Sequence, residues 1–421
     1  MLEAIHGTII HAPRMGEIEI VEDGYLLLRD GAIEGVYKVL PEGCVPDKEH
    51  DFSGRLIIPS FTDLHLHAPQ YAMLGMGMDL PLIEWLNAYT FKTEAMFADP
   101  VFARKVYAAL ADALIRHGTT RVCIYASIHR PTAHILMEEL ERAGVTGYAG
   151  KVNMDRNTTP ELTETTEGAL EETRRFIEEC AGRYLHLRPM ITPRFTPSCS
   201  NALMEGLGKL ADEYNVPIQS HLSENDVEIA WVKSLCPDCE SYWQSYERRG
   251  LWRDKTIMAH CVHSDDAERA AIKKAGVWVA HCPDSNTNIY SGVAPVRLML
   301  NEGINVALGS DIAGGAKLSI FHVMAEAIRA SKLRYYYAGK REEEKFLTVA
   351  EAFYLATSAG ARYFGAGPGF HKGDMLHAIV LSDETLPPSR PLTSAERLER
   401  LVYADDAHAV KAVWSEGVRR L

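Results

Sequence analysis

The sequence predicts an α/β chain: a (β/α)8 TIM-like barrel with a small composite β-sandwich built from both chain ends. Three observations predict it. Eight apolar, strand-like runs alternate with segments of helical character between residues 57 and 372. Strand patterns punctuated by Gly and Asp, with no helical period, occupy 1–56 and 373–421. Polar residues collect just past the ends of most of the eight runs, where a barrel presents its site. No Gly-rich phosphate loop follows the first run, so nothing favours a dinucleotide-binding open sheet.

Taken in order, 1–56 reads as short strands at 7–11, 25–28 and 31–36. The barrel then opens on 56–67 and continues with strands at 121–125, 147–152, 185–191, 216–220, 256–259, 277–280 and 304–308. Asp99-Pro100 offers an N-cap and a first-turn proline for a helix with Val106, Ala109, Leu110, Ala113 and Leu114 on its stripe and Gly118 as its stop. Thr159-Pro160 predicts the start of an acidic helix, and Ser264 the start of one that ends at Gly276. The strands 377–381 and 410–414 return to the pattern of the first residues, which predicts one β unit shared by both termini.

Composition bounds the function. A chain of 421 residues, 47% of them hydrophobic, can bury a large core. A formal net charge of -13 argues against nucleic-acid and anionic-membrane partners. No apolar run approaches the ~20 residues of a membrane helix. The first residues carry acids and no apolar signal core, so a cytoplasmic location is expected. The eight cysteines are dispersed and read as reduced thiols. Cys236 and Cys239 are spaced like half a zinc knuckle but lack the second pair of ligands.

The chemistry collects at strand ends. His65 and His67 stand at i and i+2 on one strand, so both face the same way. Later ends carry Arg194 and Phe195, then His221 and Glu224, then His260 and His263, then His281 through Asn286, and last Asp311. His65, His67, His221 and Asp311 compose an N3O set for one divalent ion; zinc suits it, and iron is not excluded by ligand type. With a position left for water the site becomes hydrolytic. Glu224, three residues past His221, is placed to move protons. Gln70 offers both a donor and an acceptor, Arg194 offers a fork of donors to a carbonyl, and Phe195 can stack. Trp85 is either a pocket wall or core.

These motifs resemble the amidohydrolase superfamily, and within it the guanine-deaminase branch. The likeness rests on Pro59-Ser-Phe-Thr-Asp63-Leu-His65-Leu-His67-Ala-Pro-Gln70, Asp79 to Leu86, Tyr89-Thr-Phe91-x-x-Glu94, Gln219 to Asn225, Met258-Ala-His260, His281-Cys-Pro-x-Ser-Asn286 and Leu308 to Gly315. Ser60 stands where the family usually has Gly, and Lys92 where Pro is usual. The resemblance implies one Zn2+ per subunit on His65, His67, His221 and Asp311. It implies purine contacts from Gln70, Arg194 and Phe195, proton shuttling by Glu224, proton acceptance by Asp311, and stabilisation of the tetrahedral intermediate by His260. It implies hydrolytic deamination of guanine to xanthine and ammonia by a homodimer.

Three rivals remain open at this level. One is a deaminase or chlorohydrolase of the same superfamily acting on a pterin, triazine, adenosine analogue or cytosine. Another is a binuclear hydrolase with a carboxylated lysine, for which Lys151 is the candidate although it follows strand three rather than four. The third is an inactive barrel used as a scaffold, which should have lost a ligand or the shuttle; none is lost here. A cytidine-deaminase type of zinc site needs His-x-Glu and Pro-Cys-x-x-Cys, but Leu235 precedes Cys236 and no His-x-Glu occurs.

Overall fold

The computed structural model describes residues 1–421. Eight parallel strands follow one another around the centre: Phe61–His67, Thr119–Tyr125, Thr146–Gly150, Leu187–Pro189, Ile218–Leu222, Thr256–His260, Trp278–His281 and Asn305–Leu308. They pair in sequence order as two four-stranded sheets. Backbone bonds join the two sheets at both seams. At one, Gln219 N–H donates to the Ile191 carbonyl (2.9 Å) and Ile191 N–H to that of Pro217 (2.9 Å). At the other, Asp311 N–H donates to the His65 carbonyl (2.8 Å) and His67 N–H to that of Ile312 (3.0 Å). The strands are buried on both faces, as strands of a helix-wrapped barrel must be.

The expected strand 56–67 is two strands. Lys48–Pro59 pairs outside the barrel, and Phe61–His67 opens it. The exchange occurs at Ser60, whose N–H bonds the His377 carbonyl (3.1 Å), while Phe61 N–H bonds that of Gly118 (2.9 Å). Both strands are buried on both faces here, so no alternation marks the break. Ser60, the departure from the family's glycine, is buried with its Oγ 2.5 Å from Thr120 Oγ1.

The N-terminal strands are long rather than short: Leu2–Arg14 and Glu17–Arg29 form a hairpin, followed by Ala32–Tyr37. With Lys48–Pro59, Ala378–Leu381, Val410–Ser415 and Val418–Arg419 they make one seven-stranded sheet drawn from both ends of the chain. The sheet curls until its far hairpins touch. A Cβ placed on Gly31 would lie 3.0 Å from the Gly417 Cα, and both glycines have positive φ. Alternation divides its two faces. Ile5, Ile9, Ile57, Val380 and Trp414 fill a small core inside the curl. Ile10, Leu56, Ile58, Ile379 and Val413 belong to the main core with the barrel.

The helices follow their caps. Asp99 caps Pro100–Arg116 by accepting from Val101 N–H, as expected. Its buried stripe is rotated to Ala103, Tyr107, Leu110, Ala111 and Leu114, and Ala109 is exposed. Thr159-Pro160 starts only a short 3-10 turn; the helix is Thr166–Cys180, capped by Thr165. Asp265, not Ser264, caps Asp266–Ala275, which ends at Gly276. Ser394–Ala404 is a helix that the strand-only reading of the C-terminal stretch left out.

Candidate active site

The carboxyl ends of the barrel strands converge on one pocket. His67, His221, His260 and Asp311 lie on its floor, with His65 fully buried alongside. The barrel fixes this convergence, because each residue ends or directly follows a parallel strand. Backbone strain marks the same ends. Ser223, His260, Cys261 and Asp311 have φ between 46° and 73°, a region that non-glycine residues rarely adopt.

The floor fits a divalent cation. His65, His67 and Asp311 bring one donor atom each within 4.8 Å of one another, as do His65, His221 and His260. Asp311 Oδ1 lies 3.2 Å from His65 Nε2 and 3.5 Å from His67 Nε2. The Nε2 atoms of His67 and His221 face each other at 3.2 Å. Neither ring nitrogen of His65 has a hydrogen-bond partner despite full burial. His221 Nδ1 lies 2.6 Å from the Arg194 carbonyl, which can only accept; the proton is on Nδ1, and Nε2 presents its lone pair inward. Burial, then neighbouring cationic groups, holds His67 and His221 well below the usual imidazole range, so both are neutral and able to ligate.

Titratable groups border this floor. Glu224 Oε2 lies 3.5 Å from His260 Nε2, and its Oε1 is buried without a partner. Burial, then the carboxylates of Glu228 and Asp311, raises the Glu224 carboxyl well above the ordinary range. His260 is pushed down to about 4, mainly by burial, and its Nδ1 is held 2.9 Å from Asn286 Oδ1. Ser285 Oγ donates to Asp311 Oδ2 at 2.5 Å. Burial opposes ionisation of Asp311, yet His65, His260 and Ser285 together leave its carboxyl below the ordinary range.

Above the floor the walls are chemically divided. Leu82, Trp85 and Leu86, from the segment after Gln70, form an apolar wall with Phe195 and Ile289. Trp85 is anchored by its indole N–H on the Met76 carbonyl (2.9 Å). Leu82 N–H bonds the Ile289 carbonyl at 3.2 Å, so this segment is bridged to the chain beyond the seventh strand. Gln70 and Arg194 supply the polar wall. Both are tied to Glu94, a buried carboxylate for which the sequence reading found no role: Gln70 Nε2 donates to Oε1 (3.0 Å) and Arg194 Nη1 to Oε2 (2.5 Å).

Other candidates lie outside the pocket. His263 bonds the Ser291 carbonyl through Nε2 (2.8 Å), and His281 is buried without lining the cavity. Lys151 is buried against Glu164 (2.7 Å) and does not reach the floor, which removes the candidate for a carboxylated bridging lysine. Cys236 and Cys239 are free thiols. Lys92 is exposed.

Comparison with known proteins agrees with this geometry. The amidohydrolase family profile matches residues 56–419. A guanine deaminase of Dictyostelium discoideum is 39% identical over 380 residues, covering 86% of this chain and 84% of its own. The mouse guanine deaminase is 37% identical over 394 residues, covering 89% and 85%. The crystal structure of a guanine deaminase from C. acetobutylicum with guanine in its active site superposes with a TM-score of 0.97 at 42% identity, each chain covered in full. The chain therefore belongs to the amidohydrolase family, on the branch that holds the guanine deaminases.

Proposed function

We propose that this chain hydrolyses guanine to xanthine and ammonia, with one zinc ion per subunit held by His65, His67, His221 and Asp311. The observation that carries the reading is one pocket lined by His67, His221 and Asp311 of this donor set, by the acid Glu224, by the polar Gln70 and Arg194 and by the aromatic Phe195 and Trp85, with His65 buried beside its floor. When bound, such an ion lowers the pKa of a coordinated water toward neutrality. The protein's own residues do the rest. Phe195 and Trp85 hold the faces of the purine, and Gln70 and Arg194 read its edge. Asp311 accepts the water's proton as the oxygen attacks C2. Glu224, which burial keeps protonated, gives its proton to the ring nitrogen beside C2. His260 lies within reach of both Glu224 and Asp311 (3.5 and 3.8 Å) and orients the oxygen between them. The C2–N bond then breaks as Asp311 passes its proton to the amine, which leaves as ammonia. The new C2 hydroxyl gives its proton to Glu224 as it becomes the carbonyl, which restores both carboxyl groups.

Zinc-loaded protein assayed on a panel of aminated purines, pterins, pyrimidines and triazines tests the substrate. Guanine should release ammonia fastest; release from a triazine or pterin but not from guanine would overturn the assignment. Glu224→Gln should lower kcat by a factor of about 10² to 10⁴ while retaining stoichiometric zinc. The family resemblance adds the expectation of a homodimer, tested by sedimentation; the cytoplasmic location expected from the sequence is tested by cell fractionation.

A further inference from the structure

We propose that Glu94 is a specificity-determining positioning residue: it fixes which way the Gln70 amide presents its donor and acceptor, and aims the Arg194 fork, so that the pocket selects purines with a carbonyl at C6. This rests on the guanine reading above and extends it to a residue that does not line the pocket. A glutamine amide can sit in either of two orientations, which present opposite hydrogen-bonding characters to a substrate. Here two partners of fixed character remove the choice. Ala313 N–H can only donate, and it bonds Gln70 Oε1 at 3.0 Å. The Glu94 carboxylate accepts from Gln70 Nε2 at 3.0 Å. What remains for a substrate is one Nε2 hydrogen and one Oε1 lone pair, in fixed order.

The second Glu94 oxygen binds Arg194 Nη1, while the Phe91 ring lies 5.3 Å from the guanidinium carbon. Phe91 and Glu94 sit three residues apart on the helix Phe91–Ala95, so one helical turn supplies both the anchor and the stacking face. The whole cluster is buried, with Gln70, Phe91, Glu94 and Arg194 each no more than 3% exposed. Buried ion pairs of this kind contribute little net stability compared with an apolar pair of similar volume. Their positional effect is stronger: a guanidinium held on Glu94 through Nη1 alone keeps its other donors free for a substrate. A carbonyl at C6 can take those donors. An analogue without it leaves them unpaired in a buried wall, which is costly.

The test compares guanine with 2-aminopurine, which keeps the C2 amine and lacks the C6 carbonyl. Wild-type protein should prefer guanine. In Glu94→Gln the preference, as a ratio of kcat/KM, should fall by roughly 10- to 100-fold, mainly through a higher KM for guanine, with zinc content unchanged. An equal loss on both substrates marks a merely structural role and overturns the proposal, as does an unchanged ratio. Should Glu94→Gln not fold, Glu94→Asp decides by the same ratio, since it keeps the charge but withdraws it by one methylene. If wild-type protein does not act on guanine at all, it is the guanine reading that fails, and that result is separate from the variant comparison.

Discussion

Asp311 divides its two oxygens between two neighbours. Oδ1 faces His65 and His67, whereas Oδ2 takes the Ser285 hydroxyl and looks toward His260. An oxygen that accepts water's proton must ionise readily, and the Ser285 bond favours the ionised form. Ser285→Ala should therefore lower kcat by roughly tenfold, with KM and zinc content near those of the wild type. Steady-state kinetics with metal analysis checks this; an unchanged kcat would remove Ser285 from the proton path. The contrast with sequence is instructive at this scale. His65, His67, His221, Glu224 and Asp311 were legible because residue type and strand-end position suffice to nominate them. Ser285, Asn286 and Glu94 instead contact Asp311, His260 and the Gln70–Arg194 pair, and such partnerships depend on which parts of the chain the closed barrel brings together. Glu94 lies 24 residues from Gln70 and 100 from Arg194 in the chain, so no local pattern could pair them.

At the scale of elements, the first and eighth barrel strands must be held in register, because one carries His65 and His67 and the other leads to Asp311. Asp63 provides the latch. Its buried carboxylate accepts from Ser310 N–H (2.9 Å), Ser310 Oγ (2.5 Å) and His65 N–H (3.2 Å). Burial raises its pKa to about 6 against these bonds. Asp63→Ala leaves three buried donors without an acceptor and should cost about 2–4 kcal/mol of stability. It should also weaken zinc retention by loosening the seam. Thermal unfolding and competition against a zinc chelator measure the two effects; wild-type values in both would show that the strands hold register without the latch. Strand identity was readable from apolar runs, whereas helix starts were not always. Thr159 and Thr165 are equally good caps by residue type, and only packing chose the second, where Phe176, Ile177 and Cys180 reach the core. The capping box at Thr393 and Glu396 was present in the sequence as a signal for the overlooked helix.

For the whole molecule, the joint between barrel and curled sheet runs through one polar chain. Ser60 Oγ meets Thr120 Oγ1, which lies 2.8 Å from His377 Nδ1. On the other side His377 Nε2 lies 3.2 Å from the Glu416 carboxylate and 3.3 Å from the Glu416 backbone nitrogen. The composite sheet could be anticipated from strand patterns at both ends, but this joint could not, since it links residues 60, 120, 377 and 416. Burial, then Arg121, lowers the His377 pKa to about 4, while Glu416 pulls it up and His186 slightly down. An unfolded histidine titrates near 6.5. Above that pH neither state binds the proton, and the contribution is at its full value. Between about 6.5 and 4 the unfolded chain takes up a proton that the folded chain refuses, so stability falls as pH falls. From pH 7.5 to 5 this one group should remove about 2 kcal/mol. His377→Asn keeps a donor and an acceptor in the joint but cannot titrate. Wild-type and variant proteins unfolded in urea at both pH values should differ in their loss of stability by roughly that amount, the wild type losing more. Metal release and other histidines affect both proteins alike and cancel in the difference. Equal losses would show that His377 takes up its proton as readily in the folded chain as in the unfolded one, and that the joint does not sense pH.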